Sequence, residues 1–510
     1  MLVPNVSYSP QKLMTVPTNA PNNMINQTVV AQQPQNIMPS AGLMQAYYTP
    51  ISTALTKPVK KSIWAKADPN KRQLIHQMGE HYKAFVDNSK TDLSTVDTII
   101  NRVRTEGFQP WPSNQPNRLF APGERFYRVN RDRSIQLIVV GKEPISNGFK
   151  MVATHLDSPH ISLKPRALQD ASGGFAIFKT QVHGGLKTHQ WTQRNLALIG
   201  KVVKKDGSVV KIDIGNKPGD PIFIIPELAI HVDSKDNKNI PLENLNPIVG
   251  LYEGTSLDQN TELSISDQIE QVLYQNYGIT REDLKNAQLD LVPASSSRDV
   301  GFDRSMISAY GQDDKTSVYA SIESMLSALK YNPVPNKTLI SANFGNEEIA
   351  SWNAYGAKSD DTRTMLAEIM KYTTGVYDEF ALKQGFKNSL IVSSDVTTGL
   401  DPINPSAEDF TNAAQLGYGP AISKEGKLTS TPETSAYFER MIGNVQTQTH
   451  TFNQDKGSGG TLGNYIATQN NADVVDIGVP VIGMHSPNEV VSKADIYELT
   501  TALQNYYLGQ

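Results

Sequence analysis

The sequence predicts an α/β protein that carries a β-rich insert, and three observations lead there. Short apolar runs of strand length, Phe149-Lys-Met-Val-Ala153, Leu339-Ile-Ser-Ala-Asn-Phe344, Ser389-Leu-Ile-Val392 and Val479-Pro-Val-Ile-Gly-Met484, read as buried strands. Segments of helical period alternate with them: Val318, Ile322, Met325, Leu326 and Leu329 share one face over Asp314 to Leu329, and Asp361 to Tyr372 follows the strand Lys337 to Phe344. Between residues 166 and 291 the texture changes to strands and hairpins.

The chain opens on a segment of a different kind. Residues 1–61 are rich in Asn, Gln, Pro, Met and Thr, hold no acidic residue and show no period, so a disordered tail is expected there. A transit peptide would be rich in arginine, yet the first is Arg72, and a secretory signal needs an apolar run that Met1 to Tyr48 lacks. Residues 62–165 form the first part of the main domain, with helices over Asn70 to Ser89 and Ser94 to Glu106 and paired strands over Phe126 to Val140. In the insert, Asn195 to Val203 and Ser208 to Ile214 flank a Lys-Lys-Asp-Gly turn as a hairpin, and Pro221 to Ile225 and Leu228 to Val232 add strands. Residues 292–510 return to strand and helix. Gly457-Ser-Gly-Gly460 lacks the lysine and ribose-binding acid of a nucleotide loop and is expected to start a helix over Thr461 to Gln469.

Composition narrows the function. A chain of 510 residues exceeds a typical single domain, so two folded units and a tail are expected. The net charge of −4 gives no sign of nucleic-acid or anionic-membrane partners, and no apolar stretch approaches the length that spans a bilayer. The expected location is the cytoplasm. With no cysteine there are no disulfides, cysteine nucleophiles or thiolate metal sites.

Five short segments concentrate acids and histidines: Met151-Val-Ala-Thr-His155-Leu-Asp157, Gly311-Gln-Asp313-Asp314-Lys315, Asn346-Glu347-Glu348-Ile349, Val392-Ser-Ser-Asp395-Val396 and Gly483-Met-His485-Ser-Pro487. Most end a predicted strand, which is where sites gather in open α/β sheets. Zinc accepts imidazole nitrogen and carboxylate oxygen, and a two-metal hydrolase needs one bridging carboxylate, terminal ligands and one unligated carboxylate to move the proton. His155, Asp313, Glu348, Asp395 and His485 as ligands, with Glu347 beside them, fill those roles and imply peptide-bond hydrolysis. Each segment also has a plainer reading. His155 and Asp157 can be a chance pair, Glu347-Glu348 an acidic loop, and Asp313-Asp314 a helix cap. His189 and His450 read as solvated loop histidines.

The wording of the segments carries a resemblance. Asp299-Val-Gly-Phe-Asp-Arg-Ser-Met-Ile-Ser-Ala-Tyr-Gly-Gln-Asp-Asp-Lys315, Asn346-Glu-Glu-Ile349, Gly478-Val-Pro-Val-Ile-Gly-Met-His-Ser-Pro487, His183-Gly-Gly185, Leu228-Ala-Ile-His231 and Asn412-Ala-Ala-Gln-Leu-Gly-Tyr-Gly-Pro420 resemble the aspartyl aminopeptidase and vacuolar aminopeptidase I family, from about Ile63 to the C-terminus. The resemblance implies a zinc-peptidase three-layer α/β/α sandwich, with residues 166–291 as an inserted dimerisation domain. It implies one zinc on His155 and Asp395, another on Glu348 and His485, and Asp313 bridging. Asp157 would hold the far nitrogen of His155, and Glu347 would be the general base. Leu228-Ala-Ile-His231 matches a segment that supplies a histidine to a neighbouring subunit's active site, within a tetrahedral dodecamer of dimers.

Two departures from the family pattern stand out. Where some members have a histidine after the ligand aspartate, this chain has Val396-Thr-Thr398. Where the acid-preferring branch has a lysine that meets the substrate's carboxylate, it has Ser423, with Lys424 one residue later, so acidic and neutral N-terminal residues both stay open as substrates. The implied function is a co-catalytic dizinc aminopeptidase acting on short peptides, with cobalt or manganese able to replace zinc. A related metallo-deacylase or carboxypeptidase and a non-catalytic assembly protein are the alternatives.

Overall fold

A nine-stranded sheet organises the protein. Its strands lie in the order β1 (Gln109–Pro110), β2 (Arg125–Asn130), β3 (Ser134–Val139), β13 (Leu339–Phe344), β4 (Lys150–His155), β14 (Leu390–Ser394), β18 (Asp473–Gly478), β16 (Ala421–Ser423) and β17 (Gln448–His450). The computed structural model describes residues 61–113, 118–233, 240–252, 263–424, 429–456 and 459–509; the tail expected over residues 1–61 falls outside these but for Lys61.

Strand pleating explains the layers. Successive side chains of a strand point to opposite faces, so a strand buried on both sides feeds two cores. In β4, Val152 joins one core while Met151 and Ala153 join the other; in β14, Leu390 and Val392 separate from Ile391 in the same way. The first core receives Tyr82 and Val86 of the helix Pro69–Asp87, Val96, Ile99 and Val103 of Asp92–Arg104, Phe438 of Pro432–Ile442, and the helices Gln312–Tyr331 and Lys493–Leu508. The second receives Met365 and Ile369 of Asp361–Thr374, Phe386 of Glu379–Lys387 and Ile466 of Gly463–Asn470. Helices therefore cover both faces, as the three-layer expectation requires. Tyr506, in the last helix, takes the N–H of Met151 at 2.9 Å and donates to the Leu390 carbonyl at 2.6 Å, tying β4 to β14.

Two smaller sheets flank this one. The six-stranded sheet, in the order β8 (Val209–Ile214), β7 (Leu196–Val203), β10 (Ala287–Pro293), β5 (His160–Ala171), β6 (Phe175–His183) and β9 (Ile248–Gly250), has its own core around Trp191, Leu198 and Leu291. The expected hairpin is β7 with β8. Leu228 to Val232, expected as a strand, is instead an exposed loop and turn, and Pro221 to Ile225 contributes only single bridges at Phe223 and Ile224. Their β-branched residues fit a strand, but among the described residues Leu228 to Val232 meets no ladder and Pro221 to Ile225 meets only those bridges. In the five-stranded sheet, in the order β11 (Arg298–Val300), β12 (Met306–Ala309), β20 (Glu489–Ser492), β19 (Pro480–Ile482) and β15 (Thr397–Thr398), only β19 lies within a run that the sequence marks as a strand, Val479 to Met484; the other strands are short and come from distant parts of the chain.

Candidate active site

Register brings the segments together. The strands β13, β4 and β14 are adjacent and parallel, with Phe344 opposite His155 and Ser393 opposite Ala153. His155 ends β4, Glu347 and Glu348 follow β13, and Asp395 directly follows β14, so all four residues gather at one edge of the sheet. Asp313 and His485 arrive from the five-stranded sheet. There β12 pairs antiparallel with β20, and the chain leaving β12 reaches Asp313 beside the turn that leads from β19 to β20 through His485. The helix Gln312–Tyr331 has Gly311 as its N-cap; Asp313 and Asp314 depart from helical dihedrals, and both carboxylates belong to ligand-type clusters with His155. Gly478 on β18 has a steric reason, since a Cβ there would sit 1.7 Å from the Asp395 carbonyl oxygen.

Distances between the side chains resemble those between ligands of one ion. His155 Nε2 lies 3.1 Å from Asp313 Oδ1 and 3.5 Å from Asp395 Oδ1, while His485 Nε2 lies 3.2 Å from Asp313 Oδ2 and 3.4 Å from Glu348 Oε2. Tetrahedral zinc with bonds of about 2.0–2.1 Å separates its ligand atoms by about 3.4 Å. Asp313 presents one oxygen to each histidine. Asp314 Oδ1 and Glu348 Oε1 are buried with no hydrogen-bond partner among the described residues, which is unusual for carboxylates and fits a cation as the missing partner.

The electrostatics agree. Burial and the neighbouring carboxylates push the Glu348, Asp314 and Asp395 carboxyls up, and Glu347 is raised to about 8 by burial and then by Asp395, Asp157 and Asp313. Burial also opposes the charge of Asp313, but the two imidazoles beside it prevail and hold it low. So many carboxyls in one enclosure need positive charge to ionise together.

Two buried carboxylates hold the backbone of this cluster. Asp157 accepts the N–H groups of Glu347 at 2.9 Å and Glu348 at 3.2 Å, and Glu489 accepts those of Asp313 at 3.2 Å and His485 at 2.8 Å. The nearer partner of His155 Nδ1 is the Asp157 carbonyl, at 3.0 Å, with the carboxylate at 3.6 Å. The side chain was expected in that place, but its oxygens are engaged by the glutamate turn.

A cavity of about 680 Å³ opens over the cluster, lined also by Val396, Thr398, Glu408, Ser423, Phe452 and Lys456. Ser423 is among the lining residues and Lys424 is not; the lysine that is, Lys456, lies in the loop after β17. Strand alternation separates Ser423 from its neighbour. His231 lies in an exposed turn and does not line the cavity of its own chain. His450, read as a solvated loop residue, is fully buried on β17 with its Nδ1 2.9 Å from Thr397 Oγ1, and burial lowers its pKa to about 4. The exposed His189 is also outside the cavity lining.

The family model described as aminopeptidase I zinc metalloprotease (M18) matches residues 85–507. The chain belongs to this family. It is accordingly a zinc metallo-aminopeptidase, a hydrolase of peptide bonds. A probable M18 family aminopeptidase 1 of Clostridium acetobutylicum is 34% identical, over 86% of this chain and 96% of its own. The crystal structure of an M18 family aminopeptidase from Thermotoga maritima is 32% identical with a TM-score of 0.81, covering 88% of this chain and 99% of its own. The mApe1 dodecamer of S. cerevisiae, 18% identical, shares the fold at a TM-score of 0.70 over 85% of this chain and 97% of its own.

Proposed function

We propose that the M18 enzyme described here is a co-catalytic dizinc aminopeptidase that removes one residue at a time from the free N-terminus of short peptides. The observation that carries this reading is the pair of His–Asp313 contacts, one through each carboxylate oxygen, with buried ligand atoms left unpartnered around them. His155 and Asp395 would hold one ion, Glu348 and His485 the other, and Asp313 both. Zinc bound there supplies Lewis acidity and a water acidic enough to ionise near neutral pH.

The remaining chemistry belongs to the chain. Glu347 lines the cavity and is not needed as a ligand, so its carboxylate takes the proton of the attacking water and hands it to the leaving amine. Asp157 sets the direction of that turn through its two N–H contacts. Hydrolysis of free-amine aminoacyl substrates, with N-acetylated ones left intact, tests the reading; cleavage of the acetylated set would reassign the enzyme as a deacylase.

His231 is read as a residue that acts in a neighbouring subunit. Leu228, Ile230 and Val232 around it are 67%, 84% and 67% exposed, an apolar surface of the kind a second copy covers. The insert would then be the dimerisation domain, and the dodecamer of the yeast relative is the assembly proposed for dimers of this chain in the cytoplasm. The variant His231→Phe is expected to lower kcat by about 10²–10³-fold with metal content unchanged, the loss typical of a missing donor to the oxyanion. Equal turnover of variant and wild type would remove His231 from the mechanism.

Metal removal has a pH signature. Glu347 and Glu489 are raised to about 8, burial being the first cause in both. In the metal-free protein the folded state thus binds protons more tightly than the unfolded chain, and stability falls as pH rises from the ordinary glutamate range toward 8. Thermal melts of chelator-treated protein should drop by several degrees between pH 5 and 8, and zinc at about 100-fold its Kd should restore roughly 3 kcal/mol. A flat melting profile without metal would contradict this account.

A further inference from the structure

The end of β6 reaches from the six-stranded sheet to the catalytic turn. His183, the last residue of β6, pairs in register with His160, the first of β5, and their rings stack with centroids 4.4 Å apart and planes 15° apart. His160 is anchored from behind. Its Nδ1 meets the Ser158 carbonyl at 2.8 Å and its Nε2 lies 3.3 Å from Asp290 on β10, whose carboxylate also takes the Ser162 hydroxyl at 2.7 Å.

The stacked partner points the other way. His183 Nε2 lies 2.9 Å from Oδ2 of Asp157, the carboxylate that also receives the N–H groups of Glu347 and Glu348. The following residues continue along the site: a Cβ on Gly184 would meet Glu348 Cβ at 3.2 Å, and the Gly185 backbone hydrogen-bonds His485.

The glutamate turn needs such support. Asn346 and Ala350, on either side of it, have φ of 61° and 69°, a left-handed conformation that costs a residue with a Cβ about 1 kcal/mol or more and persists only where the surroundings enforce it. Asp157 is one of the groups that enforce it, beside the Ala350 N–H on the Glu347 carbonyl at 2.8 Å and the Ser351 N–H on the Asn346 carbonyl at 2.7 Å, and with two N–H donors alone its carboxylate keeps a degree of freedom. A third donor, itself immobilised by a stack and a strand end, removes that freedom.

We propose that His183 is a positioning residue for the catalytic glutamate: through Asp157 it fixes the turn that aims Glu347, so the β-rich insert takes part in catalysis within its own subunit. The proposal rests on the reading of Glu347 as the base, which the wild-type free-amine activity and its loss in Glu347→Gln check separately.

The test compares His183→Phe, which keeps a ring against His160 but removes the donor, with His183→Gln, which keeps an N–H donor. Steady-state kinetics on a free-amine aminoacyl substrate, zinc content and melting temperature are measured for both. The expected result is a kcat lowered by about 10–100-fold in His183→Phe with KM and zinc content unchanged, and most of that kcat recovered in His183→Gln. Wild-type kcat in His183→Phe would overturn the proposal. So would equal impairment of both variants, and so would a loss of activity that follows the loss of zinc or of stability in proportion.

Discussion

The variant Glu347→Gln is expected to lose about 10²–10⁴-fold in kcat while retaining its zinc and its KM. The amide keeps the size of the side chain and leaves the backbone N–H on Asp157, so the turn is unchanged; what disappears is a group able to take a proton. Because Glu347 is one of several mutually repelling carboxyls, the metal-free variant should melt no lower than the metal-free wild type. Steady-state rates and metal analysis on the same samples decide the matter. A kcat within about tenfold of wild type at full metal content would move the base elsewhere.

Replacing Asp313 should do more damage by a different route. One oxygen of Asp313 faces His155 and the other faces His485, so Asp313→Ala removes a ligand atom from both halves of the cluster at once. Zinc bound per chain should fall below that of wild type, and activity by about 10³-fold or more, the several kcal/mol that metal polarisation of a reacting oxygen supplies. Asp314→Ala is the informative comparison, since Asp314 also sits in a ligand-type cluster with His155 and Asp395. If Asp314→Ala loses zinc and activity while Asp313→Ala keeps both, the bridging role belongs to the neighbour.

How much of this was readable from residues alone follows from how local each signal is. The strands β13, β4 and β14 announced themselves as continuous apolar runs because both their faces are buried, and each run ends beside its acid or histidine. The helix over Gln312–Tyr331 was equally plain from its spacing, yet the departure of Asp313 and Asp314 from helical geometry was not, since the groups that meet them there, His155, Ser158 and Glu489, come from distant parts of the chain. Glu489, His160 and Asp290 carry no local mark, and His183 is marked only by the two glycines that follow it, with nothing to show what its ring meets. Several of their partners lie far away in the chain, Asp313 for Glu489, Asp157 for His183 and Ser162 for Asp290, and a buried carboxylate that holds distant groups looks in sequence like any other acid. Leu228 to Val232 differs for the converse reason: a strand-like composition does not form a strand where none of the described residues offers it a ladder.

The order of these parts along the chain bears on when the enzyme can act. Of the proposed ligands the first is His155 and the last is His485, and the helix Lys493–Leu508 that ties β4 to β14 through Tyr506 comes later still. A ribosome releases the chain from its beginning to its end, so a nascent chain already possesses its β-rich insert, β13 and β14 while lacking both an imidazole of the centre and the clamp across the sheet.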